Sequence, residues 1–458
     1  MFRRTLACGS LLAFAGLCGT PPAQAQTTGA RGTALYEGAR LIPGDGRAPI
    51  EGAAFLVENG TITRVGRKGE LTAPVGATRL DLTGKTVMPA LINAHGHPGF
   101  QKGLTYVGEN FTRESIVEDL NRGLYFGLAV VQSQGIERGD LTYQVRADQQ
   151  AGRLGGTRLL IAGRGIGAPK AGPGAAAYAG IAYEITTAAE ARAAVQELAA
   201  KKVDLVKIWV DDRNGRAPRL SPELFRTVIE EGHRRGLKVN AHVFYHTDAV
   251  DLANAGIDGF AHLVRDKEMD ADLVALVVKR NVYVMPNLGG AERGTYTELP
   301  HWLQENDPMM ALLRDTVAPE VLQRMKNAYA KVDAAAVARN RERYAILQRS
   351  LAKLAAAGAR IVLGSDTGLE DHFFGFAEQR ELENMVKAGM TPAQVIVAAT
   401  SRSAEYLKLT NTGTLVVGKS ADFLVLDANP LDDITNTRRI SKIYLKGAEV
   451  DRAALRRR

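Results

Sequence analysis

Short apolar runs alternate with helix-like segments through the middle of the chain, from residue 87 to residue 408. Eight such runs stand at Val87–Ala94, Leu128–Val131, Arg158–Ala162, Val203–Trp209, Leu237–Ala241, Ile257–Ala261, Val282–Met285 and Arg360–Leu363. Helix-like stretches between them include 187–201, 221–235, 247–255 and 270–280. Strands that alternate with helices are typical of a parallel sheet. The pattern therefore predicts an α/β fold, a (β/α)8 TIM barrel, with a doubly wound sheet as the alternative.

Both flanks of this region contain β-type runs separated by glycine turns. Residues 33–86 include Ala53–Val57 and Thr61–Val65, and residues 412–450 include Phe423–Leu426 and Ile443–Leu445. We predict one small composite β-sandwich built from 33–86 and 412–450, and a barrel catalytic domain over 87–408. The insertion 287–357 precedes the last run, and its part 320–357 lacks glycine and proline. One long helix or two is expected there, placed to shape or cover the site.

The first 25 residues have the pattern of a cleavable export signal. Two arginines precede an apolar stretch from Leu6 to Cys18, and Ala23-Gln24-Ala25 is a small-x-small cleavage site. We predict a signal peptide over 1–25 and a secreted or periplasmic mature protein. The apolar stretch is too short to span a bilayer, so no membrane anchor is expected. Both cysteines of the chain lie inside the signal, which leaves the mature protein without a disulfide.

Composition narrows the class of protein. Hydrophobic residues make up 45% and charged residues 24%, as in ordinary globular proteins, which excludes wholesale disorder. The formal net charge of +8 is mild and scattered along the chain. It does not indicate a nucleic-acid partner and is compatible with a small-molecule substrate. The oligomeric state stays open, a homo-oligomer included.

A pair of histidines, His95-Gly96-His97, directly follows the first apolar run. Alternate residues of a strand share a face, so both imidazoles can reach one metal ion. The pair alone is a weak signal, because structural or surface histidines produce the same motif more often.

Four more ligand-capable side chains close later apolar runs, namely Lys207, His242, His262 and Asp366. The active sites of barrel enzymes lie where the strands end. Only eight histidines occur in the chain, and four of them stand at these positions. The six residues together therefore predict a metal site.

Lys207 needs its own explanation, because an ammonium group has no lone pair for a metal. Burial beside cations lowers the pKa of a lysine and favours the neutral amine. A neutral amine reacts with carbon dioxide to give a carbamate, an anionic ligand able to bridge two metals. The alternative is an ion pair with Asp204, Asp211 or Asp212, and spacing alone does not decide between the two.

Together with two later segments, these residues resemble the amidohydrolase superfamily, in particular its imidazolonepropionase- and prolidase-like branch. The segments are Gly389–Pro392 with Ala398–Thr400, and Gly413–Leu415 leading to Gly418–Asp422. The resemblance covers nearly all of the mature chain. It implies that one metal is held by His95, His97 and Asp366 and a second by His242 and His262, with carboxylated Lys207 between them. Imidazolonepropionase itself is mononuclear and lacks the bridging lysine, so Lys207 favours the binuclear, dipeptidase-like members.

The chain departs from the family pattern at three places without losing a ligand. Asn93 stands where the family often has Asp, Pro89-Ala90 where it has Pro-Gly, and Val131–Ser133 where it has Val-Arg-Asp. These differences concern the contacts behind the ligands and the choice of substrate.

The reaction that the resemblance implies is metal-assisted hydrolysis with two divalent ions, zinc by the donor types. Asp366 would be the catalytic residue that takes the water proton and delivers it to the leaving group. We expect cleavage of an amide bond in a dipeptide or N-acyl amino acid. Lactones, cyclic amides and phosphoesters are the alternative substrates. A non-catalytic, metal-binding barrel protein is the alternative from another class.

Further polar side chains follow the barrel runs. Tyr245 and His246 follow the fifth run, Arg164 the third, and His372 lies after Asp366; these four are candidate substrate-binding residues. Arg265 follows the sixth run. For each of them an ordinary loop role is the alternative.

A glycine-rich segment, Gly413–Ser420, matches the P-loop pattern literally. A P-loop must be followed by a helix whose N-terminus holds phosphate. The residues that follow, Ala421–Leu426, have the pattern of a strand, so a nucleotide site is not expected.

Overall fold

The computed structural model describes residues 27–28, 32–174, 178–329 and 333–457. The predicted signal peptide, residues 1–25, lies outside them. In chain order the strands are β1 Thr27–Thr28, β2 Ala34–Leu41, β3 Ile50–Glu58, β4 Thr61–Arg67, β5 Thr78–Asp81, β6 Thr86–Pro89, β7 Leu91–Gly96, β8 Gln101–Lys102, β9 Thr105–Tyr106, β10 Leu128–Ser133, β11 Arg158–Leu160, β12 Ile166–Gly167, β13 Tyr183–Glu184, β14 Leu205–Val210, β15 Lys238–Val243, β16 Gly259–Phe260, β17 Tyr283–Val284, β18 Arg360–Ile361, β19 Phe423–Leu426, β20 Ile440–Leu445 and β21 Ala448–Val450. The α-helices are α1 Arg113–Tyr125, α2 Leu141–Gln150, α3 Ala188–Ala200, α4 Pro222–Arg234, α5 His246–Asn254, α6 Ala271–Lys279, α7 Leu288–Glu292, α8 Pro308–Thr316, α9 Pro319–Tyr329, α10 Ala334–Ala356, α11 Phe376–Lys387, α12 Pro392–Ala399 and α13 Ser401–Tyr406.

Eight parallel strands, one at each predicted run, form the middle of the molecule. Strands β7, β10 and β11 make one sheet, and β14 to β18 belong to a second sheet with β12 and β13 at its edge. Backbone hydrogen bonds connect the two sheets on both sides, from Ala94 N–H to the Leu363 carbonyl and from Asp204 N–H to the Ile161 carbonyl. The fold is TIM-barrel-like, as predicted, and closure of all eight strands into one barrel stays a prediction.

The helices of this region match the sequence pattern closely. Stretches 187–201, 221–235 and 270–280 contain α3, α4 and α6, and α5 begins one residue before the stretch 247–255. At the start of α4 the Ser221 side chain accepts a hydrogen bond from Leu224 N–H, and Pro222 takes the first helical position. The expected long helix or pair within 320–357 is a pair, α9 and α10.

The first apolar run is two strands and not one. Strand β6 pairs with β19 and β2, whereas β7 pairs with β10, so the chain passes from one sheet to another at Ala90. Every residue of both strands is buried. A continuous apolar run therefore gives no sign of the break, and the predicted domain limit at residue 86 falls inside β6.

Strands from both chain ends form one nine-stranded mixed sheet. Its order is β1-β21-β20-β19-β6-β2-β3-β4, with β5 beside β2. The rings of Tyr36, Phe55, Phe423 and Tyr444 pack together with centroids 4.6 to 5.3 Å apart, which joins the amino-terminal and carboxyl-terminal strands in one small core. Both ends thus build one β-structure, while the two packed sheets of a sandwich are not confirmed and stay a prediction.

Two smaller points bear on function. Within the described residues, none of the helices has both the length and the apolar character needed to cross a bilayer. The P-loop-like segment is followed by strand β19, which begins at Phe423, and not by a helix. The helix that a P-loop needs is therefore not formed by the residues that follow this segment.

Candidate metal centre

All six predicted ligand residues line one cavity of about 320 Å³. They come from β7, β14, β15 and the segments after β16 and β18, and they are His95, His97, Lys207, His242, His262 and Asp366. Lys207 does not close its strand as expected, because β14 continues to Val210. The fold thus brings residues that are up to 271 positions apart in the sequence into one cavity.

The tightest group in the cavity is formed by two histidines and an aspartate. The Nε2 atoms of His95 and His97 are 3.2 Å apart. Asp366 Oδ1 lies 3.2 Å from His95 Nε2 and 2.9 Å from His97 Nε2. Ligand atoms of His95, His262 and Asp366 also lie within 4.8 Å of one another. Imidazole nitrogens and a carboxylate oxygen at this spacing form a donor set suited to zinc.

The orientation of His95 is set from behind the ring. His95 Nδ1 lies 3.1 Å from the Ala261 carbonyl oxygen, so an Nδ1–H can donate there and leave a lone pair on Nε2. The side-chain nitrogen of Asn287 lies 2.9 Å from His95 Nδ1 and 3.0 Å from His262 Nδ1. With that tautomer His95 Nδ1 cannot accept from Asn287, whose amide N–H donates instead to the Ala261 carbonyl and can donate to His262 Nδ1.

Burial keeps His95, His242 and His262 neutral. Burial and the charge of Lys207 lower the pKa of His95 to about 4. Burial and the charge of Arg265 lower the pKa of His242 and of His262 well below the ordinary value. Uncharged imidazoles have lone pairs for a metal at neutral pH.

The aspartate of the group is ionised. Burial alone would raise the pKa of Asp366, but electrostatic interactions and hydrogen bonds with the His95 and His97 rings outweigh it and hold this pKa well below the ordinary value. Its backbone has a φ of +55°, a left-handed conformation that Asp tolerates better than most residues. Asp366 N–H donates to the His95 carbonyl at 3.1 Å, which fixes this turn against β7.

The glycine between the two histidines is required by close packing. A Cβ atom at Gly96 would lie 2.8 Å from Val131 Cγ2 and 3.0 Å from Thr367 Cγ2. Strand β7 therefore approaches both β10 and the segment that carries Asp366, which brings the histidine pair close to the aspartate.

Lys207 is buried, with 1% of the residue exposed. Burial lowers its pKa to about 7, with Arg265 and Arg213 adding to the effect and Asp366 opposing it. It forms no ion pair with any described residue. The three aspartates that could have paired with it bind other groups: Asp204 binds Arg146, Asp211 binds Arg213, and Asp212 binds Arg219.

A family model described as the amidohydrolase family matches residues 86–450. The chain belongs to the amidohydrolase family. The matched range includes all six residues that meet in the cavity, so the family resemblance of the sequence is confirmed.

Relatives of this amidohydrolase are found among curated proteins and solved structures. An uncharacterized protein of Mycobacterium tuberculosis is 28% identical over 222 residues, which cover 47% of this chain and about half, 54%, of that relative. An imidazolonepropionase of Agrobacterium fabrum is 28% identical over 435 residues, 89% of this chain and 93% of the relative. The solved structure of a candidate prolidase from Bifidobacterium longum matches with a TM-score of 0.72 and 25% identity, over 92% of this chain and 95% of that chain.

Of the four candidate substrate-binding residues, His372 lines the cavity of this amidohydrolase. Tyr245, His246 and Arg164 are not among the described residues that line it. Their side chains bind neighbouring groups instead: Tyr245 donates to Asp212, His246 pairs with Asp270, and Arg164 donates to the carbonyls of Ile181 and Ala182.

Sequence reasoning missed most of the remaining cavity wall. The lining side chains that were not predicted, those of Tyr106, Tyr178, Trp209, Arg213 and Arg293, come from β9, from β14 and from segments between the listed elements. Trp209 carried a usable signal, because it stands two residues after Lys207 on the same face of one strand. Arg265 followed a barrel run but had no motif to set it apart from a loop residue.

Proposed function

We propose that this amidohydrolase is a metal-dependent hydrolase that cleaves an amide bond in a small dipeptide or N-acyl amino acid. The observation that carries the proposal is the meeting of six ligand-capable side chains in one cavity, three of them with ligand atoms within 4.8 Å of one another. Similarity to an imidazolonepropionase and to a candidate prolidase supports a hydrolase that acts on carbon–nitrogen bonds.

The residues present fit divalent cations. Two imidazole nitrogens 3.2 Å apart share one carboxylate oxygen, an arrangement of lone pairs that a cation stabilises. His97 Nδ1 is buried with no hydrogen-bond partner among the described residues. His95, His97 and Asp366 would hold one cation, and His242 and His262 a second.

The bound cations, which we expect to be zinc, would supply Lewis acidity that polarises the scissile carbonyl and lowers the pKa of water. Asp366 is ionised and lies among the ligands, so its carboxylate accepts the proton of the attacking water. The same carboxyl group then gives this proton to the leaving amine, which returns Asp366 to its starting state.

We propose that Lys207 is carboxylated and bridges the two cations. A pKa of about 7 leaves a large neutral fraction at neutral pH, although the charge of Asp366 opposes the shift. Among the described residues no carboxylate forms an ion pair with the amine, since Asp204, Asp211 and Asp212 bind arginines. The neutral amine adds to carbon dioxide, forms a nitrogen–carbon bond and releases one proton. The resulting carbamate supplies the anionic oxygen atoms that an ammonium group lacks.

A hydrolysis screen of the metal-loaded mature protein tests the proposal. The panel contains dipeptides, N-acyl amino acids, cyclic amides, lactones and phosphotriesters, each assayed with zinc, cobalt or manganese. Turnover of dipeptides or N-acyl amino acids that disappears in His95→Ala supports it. Turnover of phosphotriesters or lactones alone would overturn the amide assignment, and metal binding without any turnover would favour a non-catalytic barrel.

For the amino terminus we propose removal of residues 1–25 during export, which would make the mature enzyme secreted or periplasmic. Amino-terminal sequencing of the exported protein should begin at Gln26. Recovery of an intact Met1 from the exported fraction would contradict this.

A further inference from the structure

The cavity is lined by three arginines, and two of them are neutralised by acidic partners. Arg213 Nη1 lies 2.9 Å from Asp211 Oδ2. Arg293 pairs with Glu370, and its Nε lies 3.1 Å from Asp371 Oδ1. The third, Arg265, forms no ion pair with any described residue.

Arg265 is also poorly satisfied as a hydrogen-bond donor. Its Nε atom is buried with no partner among the described residues. Its Nη2 lies 3.2 Å from His242 Nε2, which itself lies 3.0 Å from Asp211 Oδ2. One ring nitrogen cannot donate to Asp211 and accept from Arg265 at the same time, and a cation on His242 would also occupy that lone pair.

The acidic groups near Arg265 are engaged with other partners. The charges of Asp211 and Asp366 act on the guanidinium. However, Asp211 is bound to Arg213 and His242, and Asp366 is bound to His95 and His97. A buried cation without an acidic partner is costly in a folded protein, and such groups concentrate at functional sites.

We propose that Arg265 binds the free carboxylate of the substrate, so that compounds with a carboxylate next to the scissile amide are the preferred class. This inference rests on the proposed function and adds a residue that determines specificity. The planar fork of a guanidinium matches a carboxylate with two parallel hydrogen bonds. Arg265 stands beside His242, so the carboxylate lies at the His242 side of the cavity.

The part of the cavity wall beside His97 is aromatic. The ring of Tyr178 lies 5.8 Å from that of His97 and 5.1 Å from that of Tyr106. Arg265 lies beside His242 and the tyrosines beside His97, so a substrate that contacts both has its scissile bond close to the candidate metal ligands. The acyl part of the substrate packs on the tyrosines, and their hydroxyls, which have no partner among the described residues, are donors for it.

The test compares acids with their uncharged amides. Metal-loaded enzyme is assayed on N-acetyl-L-phenylalanine, N-acetyl-L-methionine and the carboxamide of each. We expect kcat/KM for the acids to exceed that for the amides by about 10- to 100-fold, the range of a charge-assisted hydrogen bond. Arg265→Gln should abolish this preference, mainly by raising KM for the acids, and Arg265→Lys should restore part of it. Arg293→Gln, which removes a neutralised arginine, should keep the preference.

A binding arm separates this inference from the proposed function. Calorimetric titration of N-acetyl-L-phenylalanine uses Asp366→Asn enzyme whose metal content, measured by elemental analysis, equals that of the wild type, because Asp366 is also a proposed metal ligand. The affinity should weaken by about 10- to 100-fold when Arg265→Gln is added to this enzyme at the same metal content. Binding that depends on Arg265 without hydrolysis of any member of the panel would refute the amidase and leave the carboxylate site standing. Equal use of acids and amides by the wild type would overturn the inference. So would a preference that survives in an Arg265→Gln enzyme of unchanged metal content and melting temperature.

Discussion

Asp366 combines a left-handed backbone conformation with a carboxylate that contacts two histidines. Its left-handed φ turns the chain toward β7, and its Oδ1 meets the Nε2 atoms of both His95 and His97. Asn adopts the same backbone conformation as readily as Asp. A change from Asp to Asn therefore keeps the backbone conformation but removes the carboxylate that is proposed as proton acceptor and as metal ligand.

Asp366→Asn should lower kcat by about 10²- to 10⁴-fold, because an amide cannot accept the water proton. The melting temperature should stay close to that of the wild type. Steady-state kinetics and circular dichroism on the same preparation measure both. Asp427→Asn, the same change at the exposed partner of Lys85, should leave kcat unchanged. An Asp366→Asn enzyme with most of its activity would exclude the proposed role.

A labelling experiment tests the state of Lys207. Metal-loaded enzyme equilibrated with ¹³C-bicarbonate should give one carbamate carbon signal by NMR, because burial lowers the pKa of this amine to about 7. Lys207→Arg keeps a positive charge and a long side chain but has no amine that reacts with carbon dioxide. It should lose the signal together with most of the activity. The absence of a signal from active wild-type enzyme would rule out carboxylation.

Among the elements, helix α11 supports the ligand-bearing segments from behind. Glu378 Oε1 accepts a hydrogen bond from Asn93 at 2.5 Å and from Ser365 at 3.2 Å. Asn93 stands two residues before His95, and Ser365 stands directly before Asp366. One carboxyl group on α11 thus holds two ligand segments together.

Glu378→Ala should weaken metal binding by about 10- to 100-fold, as expected when a group behind the ligands is removed. Competition with a chromophoric chelator measures the affinity. Gln379→Ala is the matched control on the same helix, since Gln379 contacts Phe126 and Thr437 and not the ligand segments. Equal metal affinities in the two variants would show that α11 does not position the site.

Sequence patterns located these elements better than they located the contacts between them. The spacing of apolar residues and the capping residues were enough to predict helices α3 to α6. Each of these helices buries one face, and α3 and α4 begin after the capping residues Thr187 and Ser221. The six candidate ligands were also selected as single residues in or just after apolar runs, and the structure places them in one cavity; their role as ligands stays a prediction. Glu378 and Asn287 were not found, because their importance lies in contacts with residues far along the chain.

Across the whole molecule, a buried ion network ties the carboxyl-terminal segment to the barrel. Glu383 on α11 pairs with Arg380 on the same helix, with Arg438 near the start of β20 and with His301 in the insertion. Burial alone would raise the pKa of Glu383, but the hydrogen bond from His301 and the charges of Arg380 and Arg438 hold it well below the ordinary value.

A group with a lowered pKa stabilises the fold above the pKa of its unfolded form and loses that contribution as the pH falls. The free energy of unfolding should therefore fall as the pH drops below about 4.5, the ordinary value for this side chain. Glu383→Gln should lower the free energy of unfolding at pH 7 by about 3 to 5 kcal/mol, the cost of breaking a buried pair. In this variant the free energy of unfolding should also fall less steeply as the pH drops. Urea titrations at several pH values measure both.

The exposed ion pair of Glu405 with Arg360 is the control for that prediction. Glu405→Gln should change the stability at pH 7 by less than about 1 kcal/mol, since exposed pairs contribute little. If the free energy of unfolding of Glu383→Gln fell with decreasing pH as steeply as that of the wild type, other carboxyl groups would be responsible for the loss of stability in acid.

The mixed sheet has a consequence for how the protein is made. Strand β6 leaves the ribosome early, whereas its partner β19 is synthesised only after the entire barrel. Until then the apolar side of the nascent amino-terminal strands has no cover, and pairing of such distant segments is slow. Strands β2 to β6 can pair with one another early, but translation must be almost finished before the sheet is complete. A prematurely terminated polypeptide would keep the β6 edge without its partner β19 and open to aggregation.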